Sequence, residues 1–140
     1  MKVLLDTNIL IYYITDHESL DKNVTEILMD YNNQLAVSAE SIREMVVAYR
    51  HKGFKTSLWK TCEEMVESID KVYNVRIIPI DKNVVHTYAR LTTNTNEGHN
   101  DPSDHIIISH AMTLGLPLIS SDRRFAFYRK QGLDLIFNKK

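Results

Sequence analysis

Lys2-Val3-Leu4-Leu5-Asp6-Thr7-Asn8-Ile9-Leu10-Ile11 decides how the rest of the chain is read. Lys2 to Leu5 is a short apolar run, and Asp6-Thr7-Asn8 supplies turn formers at its end. That pattern describes a buried strand closing in a turn, with a helix from Ile9 to Ile14. Such an opening belongs to an α/β unit, where sites collect at the carboxyl ends of the strands.

The same grammar recurs downstream. Leu20 to Asn33 carries Val24, Ile27, Leu28 and Tyr31 at helical spacing. Leu35 to Ser38 reads as a second strand, with Ser38 capping a helix that runs through Arg50 and is released near Gly53. A further helix is expected from Ser57 to about Tyr73, then a strand from Val75 to Ile80, and a helix from Asn83 to Leu91 capped by Asp81. Thr92 to Asn100 is a polar loop. Asp101-Pro102-Ser103-Asp104 opens the next helix with a cap, a first-turn proline and an acid at the positive helix end; Gly115 ends it. Leu118 to Ser120 is a fourth strand and Asp134 to Phe137 a fifth. Apolar strands alternating with helices imply one α/β domain over residues 1–140, with helices on both faces of a mostly parallel sheet.

Bulk composition narrows the function. The chain has 140 residues, 44% of them hydrophobic and 25% charged, which suits a globular domain and argues against disorder. A net charge of −1 supplies no global basic field, so any nucleic-acid contact must be local. One cysteine, Cys62, excludes an internal disulfide and suggests a reducing compartment. The opening residues lack the length of a secretory or membrane segment, so the expected address is the cytoplasm.

The chemistry lies in acids. Asp6 follows the first strand and Asp122 the fourth, so both reach one sheet edge if those strands are neighbours; Asp104 starts the helix that feeds strand four. Taken singly, Asp6 and Asp122 are turn formers. Asp101 is a helix cap and Asp104 a complement to the helix dipole. Together they form a convergence without an obvious local basic partner. Carboxylates within about 4–6 Å raise one another's pKa, and a hard cation relieves the repulsion. All-oxygen ligation selects Mg²⁺ or Mn²⁺. Glu44 is open from periodicity alone. It shares a side with Glu40 and His51, opposite the Ala39, Ile42, Met45, Val46 and Tyr49 stripe, yet Val47 and Ala48 bracket it one turn later.

Other chemistries fit less well. His99, His105 and His110 do not place two ligands at i, i+4 for zinc. There is no Gly-rich phosphate loop and no nucleophile elbow. A phosphoaspartyl phosphatase needs a second aspartate where Asn8 stands; a receiver domain needs paired acids after strand one, although Asp81 could serve as its acceptor. A binding module whose acids no longer cleave is compatible with everything above.

Four segments in order resemble the PIN-domain nuclease family, in its VapC-like toxin branch. They are Leu4 to Ile11, Ser38 with Glu44, His99 to Ala111, and Leu118 to Asp122 with Phe125 and Tyr128 after it. The resemblance selects Glu44 over Glu40 and implies a catalytic and metal-binding set of Asp6, Glu44, Asp104 and Asp122. It implies an endoribonuclease that uses Mg²⁺ or Mn²⁺ to hydrolyse single-stranded or looped RNA, leaving 5′-phosphate and 3′-hydroxyl ends. A homodimer and a cognate antitoxin are implied as well. Ser103 and His105 depart from the family, which favours a bulky apolar residue and arginine there, and Ser120 replaces a frequent threonine. On this reading Thr7, Ser120 and Asp101 support the site, and Arg123, Arg124 and His99 contact substrate, with Arg129 and Lys130 near the RNA path.

Overall fold

The computed structural model describes residues 1–54 and 56–140. Its elements are β1 (Lys2–Leu5), α1 (Thr7–Thr15), α2 (Lys22–Met29), β2 (Gln34–Ser38), α3 (Ala39–Arg50), α4 (Cys62–Lys71), β3 (Val75–Ile78), α5 (Lys82–Arg90), α6 (Pro102–Leu114), β4 (Leu118–Ser120) and β5 (Leu135–Phe137). A 3₁₀ segment, Arg123–Gln131, joins the last two strands.

All pairings are parallel and the order is β3-β2-β1-β4-β5. Parallel strands need crossovers, and these cover both faces. Side chains alternate along each strand accordingly. Val3, Leu5, Leu35, Val37, Val75 and Ile119 face one core with α1 to α4. Leu4, Ala36, Leu118 and Leu135 face the other with α6, Phe125 and Tyr128. Each fully buried leucine contributes about 1.5–3 kcal/mol of hydrophobic burial, so the two cores clamp the sheet between them without any cross-link. The three-layer α/β/α expectation holds, with a sheet that is wholly parallel.

Element boundaries moved where capping outweighed periodicity. α1 begins at Thr7, because the Asp6 side chain accepts the Thr7 N–H and the helix starts directly from the strand end. α2 is confined to Lys22–Met29 by the Asp21 cap on Val24 N–H. α4 begins at Cys62 rather than Ser57. Thr61 caps Glu64 N–H, while Trp59, before the helix, is buried and donates its indole N–H to Ser68 Oγ at 2.9 Å. β3 stops at Ile78, one residue before Pro79, which has no N–H to extend the ladder.

The order places β1 between β2 and β4, and the chain's progression reverses there. β1 to β3 step one way; β4 and β5 lie on the other side. Such a switch point opens a crevice at the carboxyl ends of the two strands beside it. Asp6 leaves β1 and Asp122 follows β4 at that crevice.

Candidate active site

A cleft of about 470 Å³ lies at this edge, lined by Asp6, Thr7, Asn8, Tyr12, Glu44, Asp101, Asp104, Ser121, Asp122 and Arg124. The structure brings all four acids of the expected set together there. α1 and β1 deliver Asp6 and Thr7, α3 delivers Glu44, and α6 begins in the cleft with Asp101 and Asp104. Five acids face a single cation, Arg124.

Each acid is held. Asp6 Oδ1 accepts the Thr7 N–H at 2.9 Å and Oδ2 accepts the Ser120 hydroxyl at 2.8 Å. The Ser120 oxygen in turn accepts the Asp122 N–H at 3.1 Å, so one hydroxyl ties the turns after β1 and β4. Thr7 Oγ1 donates to Glu44 Oε1 and lies 3.0 Å from Ser41 Oγ. Thr7 and Ser120 therefore orient the carboxylates rather than merely flanking them.

Glu40 and Glu44 separate clearly. Glu40 is buried and forked by Arg43, whose Nη2 lies 2.6 Å from Oε2; those hydrogen bonds hold its carboxyl below the usual range. The question that periodicity left open for Glu44 is answered by packing, since α3 meets α1 and α6 and Glu44 faces the cleft between them. Only Glu44 reaches the cleft.

The electrostatics are those of an unbalanced cluster. Burial, then the charge of Asp104, pushes Asp6 up to about 7, against the hydrogen bonds from Ser120 and Thr7. Burial, then the charges of Asp101, Glu44 and Asp122, pushes Asp104 up to about 7 as well. Asp122 goes the other way. Burial would raise it, but the Arg124 side chain donates to both its oxygens, at 3.0 Å from Nε and 2.7 Å from Nη2, and the net shift is downward. The expectation of acids without a local basic partner is corrected here: Arg124 is that partner. The two residues are only two apart and meet because Asp122 caps the 3₁₀ segment, a turn geometry that periodicity does not report.

Donor atoms from Glu44, Asp101 and Asp104 lie within 4.8 Å of one another, and so do those from His99, Asp104 and Asp122. Asp104 belongs to both groups. The first group is all oxygen, and burial with the charges of Asp101 and Glu44 raises Asp104 within it, a strain that a divalent cation would relieve, so such an ion fits the donor set. Asp101 also caps α6 by accepting the Ser103 N–H at 3.0 Å. Its second position, beside Glu44 and Asp104, is one that the capping pattern alone did not reveal.

His99 lies behind the cleft, not in its mouth. It has no solvent exposure, and its two ring nitrogens meet Tyr128 Oη at 3.0 Å and Asp104 Oδ2 at 2.9 Å. His105 is buried too and faces the His99 carbonyl through Nε2 at 2.8 Å, so where the family favours arginine this chain has an internal tie. Burial lowers the pKa of His99, His105 and His110. Arg123 is exposed and Arg124 occupied by Asp122. Tyr128 was visible in the sequence only through the resemblance; its role behind His99 was not.

A wholly parallel sheet with a cluster of carboxylates at its switch point defines an α/β domain with an acidic cleft. The PIN domain family model matches residues 3–131, and the chain belongs to the PIN domain family. No curated protein sequence matches it. Solved structures share its fold. VapBC2 from Rickettsia felis, bound to a DNA fragment from its promoter, matches at 23% identity over 99% of this chain and 100% of that chain, with a TM-score of 0.72. VapBC-1 from nontypeable Haemophilus influenzae matches at 21% identity over the whole of both chains, with a TM-score of 0.69. DNA-bound VapBC from Salmonella typhimurium matches at 18% identity over 98% of both chains, with a TM-score of 0.70.

Proposed function

We propose that this chain is a Mg²⁺- or Mn²⁺-dependent endoribonuclease and the toxin of a toxin–antitoxin pair. The observation that carries the reading is the meeting of Asp6, Glu44, Asp101, Asp104 and Asp122 in one cleft of a PIN domain. Asp6, Glu44, Asp104 and Asp122 are the acids proposed to act, with Asp101 added beside them. A divalent ion bound there would polarise a phosphodiester and lower the pKa of a bound water.

The chain's own residues prepare that chemistry. Ser120 and the Thr7 N–H fix both oxygens of Asp6. The Thr7 hydroxyl fixes Glu44, leaving its other oxygen for a water. Arg124 holds Asp122 in a fork that a phosphate can equally occupy, so the same guanidinium can turn to substrate. The exposed Arg123 beside it is a second phosphate contact.

The proposed partner is supported by structural neighbours that are named as a toxin–antitoxin system and a toxin–antitoxin complex. A cognate antitoxin, a homodimer and a cytoplasmic address are proposed with the function. No helix among the described residues is long and apolar enough to cross a membrane.

Cleavage of a 5′-labelled structured RNA tests this, using purified antitoxin-free protein with Mn²⁺, with EDTA, and with Asp104→Asn. Fragments bearing 3′-hydroxyl ends are expected with Mn²⁺ only, and at least 100-fold fewer from the variant, as for loss of about 3 kcal/mol of transition-state stabilisation. Equal cleavage by Asp104→Asn would remove the site; no cleavage by any folded preparation across a panel of RNAs would favour a binding module.

A further inference from the structure

We infer that His99 and Tyr128 are positioning residues that fix which oxygen of Asp104 is left for a cation, through a directed chain of hydrogen bonds running from the Asn94 backbone. This rests on the metal-dependent reading of the cleft. It gives His99 a role other than the substrate contact suggested by the sequence.

The chain has one consistent direction. The Asn94 N–H donates to Tyr128 Oη at 3.1 Å. That oxygen, once it has accepted, still has its own proton, and His99 Nδ1 stands 3.0 Å away. If the tyrosine donates, Nδ1 is an acceptor and the ring proton sits on Nε2. Nε2 faces Asp104 Oδ2 at 2.9 Å, and in the ionised form that a cation would take the carboxylate can only accept. Every donor then meets an acceptor, and the opposite tautomer would leave Nε2 and the carboxylate as two acceptors face to face.

The ring has no freedom to turn. Its centroid lies 4.9 Å from His105, 5.4 Å from Phe125 and 5.6 Å from Tyr128. His105 Nε2 also holds the His99 carbonyl at 2.8 Å, pinning the backbone beneath the ring. Asn94, which begins the chain, is itself buried and braced by Glu97 and the Arg124 carbonyl. With Oδ2 engaged by His99, Oδ1 is the oxygen left without a partner among the described residues, on a carboxylate grouped with Glu44 and Asp101, whose donor atoms lie within 4.8 Å of one another. Partners of this kind behind a ligand commonly change metal affinity by about 10- to 100-fold when removed.

Mn²⁺ binding, followed by calorimetry and by the paramagnetic resonance of free Mn²⁺, tests the inference on wild type, His99→Ala, His99→Gln and Tyr128→Phe. Each protein's thermal midpoint in EDTA is measured alongside to confirm folding. His99→Ala is expected to weaken Mn²⁺ at least about tenfold, while His99→Gln, whose amide can reach the position of Nε2–H, stays within about threefold of wild type. Tyr128→Phe, which leaves the carboxylates untouched, falls between them. In the ¹⁵N spectrum of wild type, His99 should be the Nε2–H tautomer. Unchanged affinity in His99→Ala and Tyr128→Phe would overturn the inference, as would equal losses in the alanine and glutamine variants. A directly bonded ¹⁴N coupling to Mn²⁺ would also overturn it, by making His99 a ligand. Failure of wild type itself to bind Mn²⁺ would instead defeat the metal-dependent reading, and this inference with it.

Discussion

At the scale of single residues, Asp6 and Asp104 are the groups that the fold holds least comfortably as anions. Both are raised from ordinary carboxylate values to about 7, chiefly by burial. A raised acid favours the folded state below the unfolded pKa, and that contribution disappears as pH rises through the folded value. His99, His105 and His110 act in the opposite sense, since burial lowers them and their stabilising effect fades as pH falls below about 6.5. Comparison of Asp104→Asn with wild type cancels His105 and His110, which make no hydrogen bond to Asp104, while His99 keeps an oxygen partner in the asparagine. In EDTA the variant should gain on wild type as pH rises from about 4 to about 7 and level off above that, by at most about 1.4 kcal/mol per pH unit, as read from urea midpoints. A constant difference across that range would mean that Asp104 ionises as an ordinary surface acid. With Mn²⁺ the ranking should reverse, because a cation takes the ionised form. Asp6, Asp104 and Asp122 were legible in the sequence because each sits at a strand end or helix start, where topology alone sends it to one edge. Glu44 was not. A helical wheel could not separate it from Glu40, since the difference lies in partners from elsewhere: Arg43 claims one and Thr7 the other.

Among the elements, α6 carries most of the site and was also the best marked in sequence. Asp101 caps it, Pro102 occupies its first turn, and Gly115 ends it in the left-handed region at φ 64°. That glycine lets Leu116 N–H return to the Ala111 carbonyl, closing the helix end. α4 was marked as well, by Thr61-Cys62-Glu63-Glu64, but apolar periodicity from Ser57 masked the capping signal. Asp101 raises a question that belongs to the helix: whether its carboxylate serves only the cap or also the cleft. Asp101→Asn keeps an oxygen for the Ser103 N–H while removing a charge; Asp101→Ala removes both. The alanine variant should lose about 1 kcal/mol of stability and the asparagine variant little, by thermal or urea unfolding. If the charge serves the cleft, Mn²⁺ affinity should fall in both. Retained affinity in Asp101→Asn would leave Asp101 as a cap alone.

For the whole molecule, the decisive fact is that a net charge of −1 surrounds a cleft lined by five acids and one arginine. Strand order, and with it the position of the switch point beside β1, could not be read from the sequence, because pairing is set by how helices from distant segments cover both faces. What the order produces is an acidic pocket, which would repel a polyanion in the absence of a cation. On the proposed function, RNA affinity would come from the ion and a few cations near the mouth, chiefly the exposed Arg123 and the forked Arg124. Each phosphate contact on a single strand contributes about −0.7 to the slope of log affinity against log salt. Two or three contacts therefore give a slope of about −1.4 to −2. Binding of a short labelled RNA to Asp104→Asn, in saturating Mn²⁺ and rising KCl, measures it. Arg123→Ala should reduce the slope by about 0.7 and lower affinity uniformly across RNA sequences. A slope steeper than about −4 would require a basic surface beyond these residues and would remove the picture of a locally attracted substrate. A shallow slope unaffected by Arg123→Ala would transfer the steering to Arg124 and the bound ion alone, where the fork on Asp122 already places a guanidinium at the cleft.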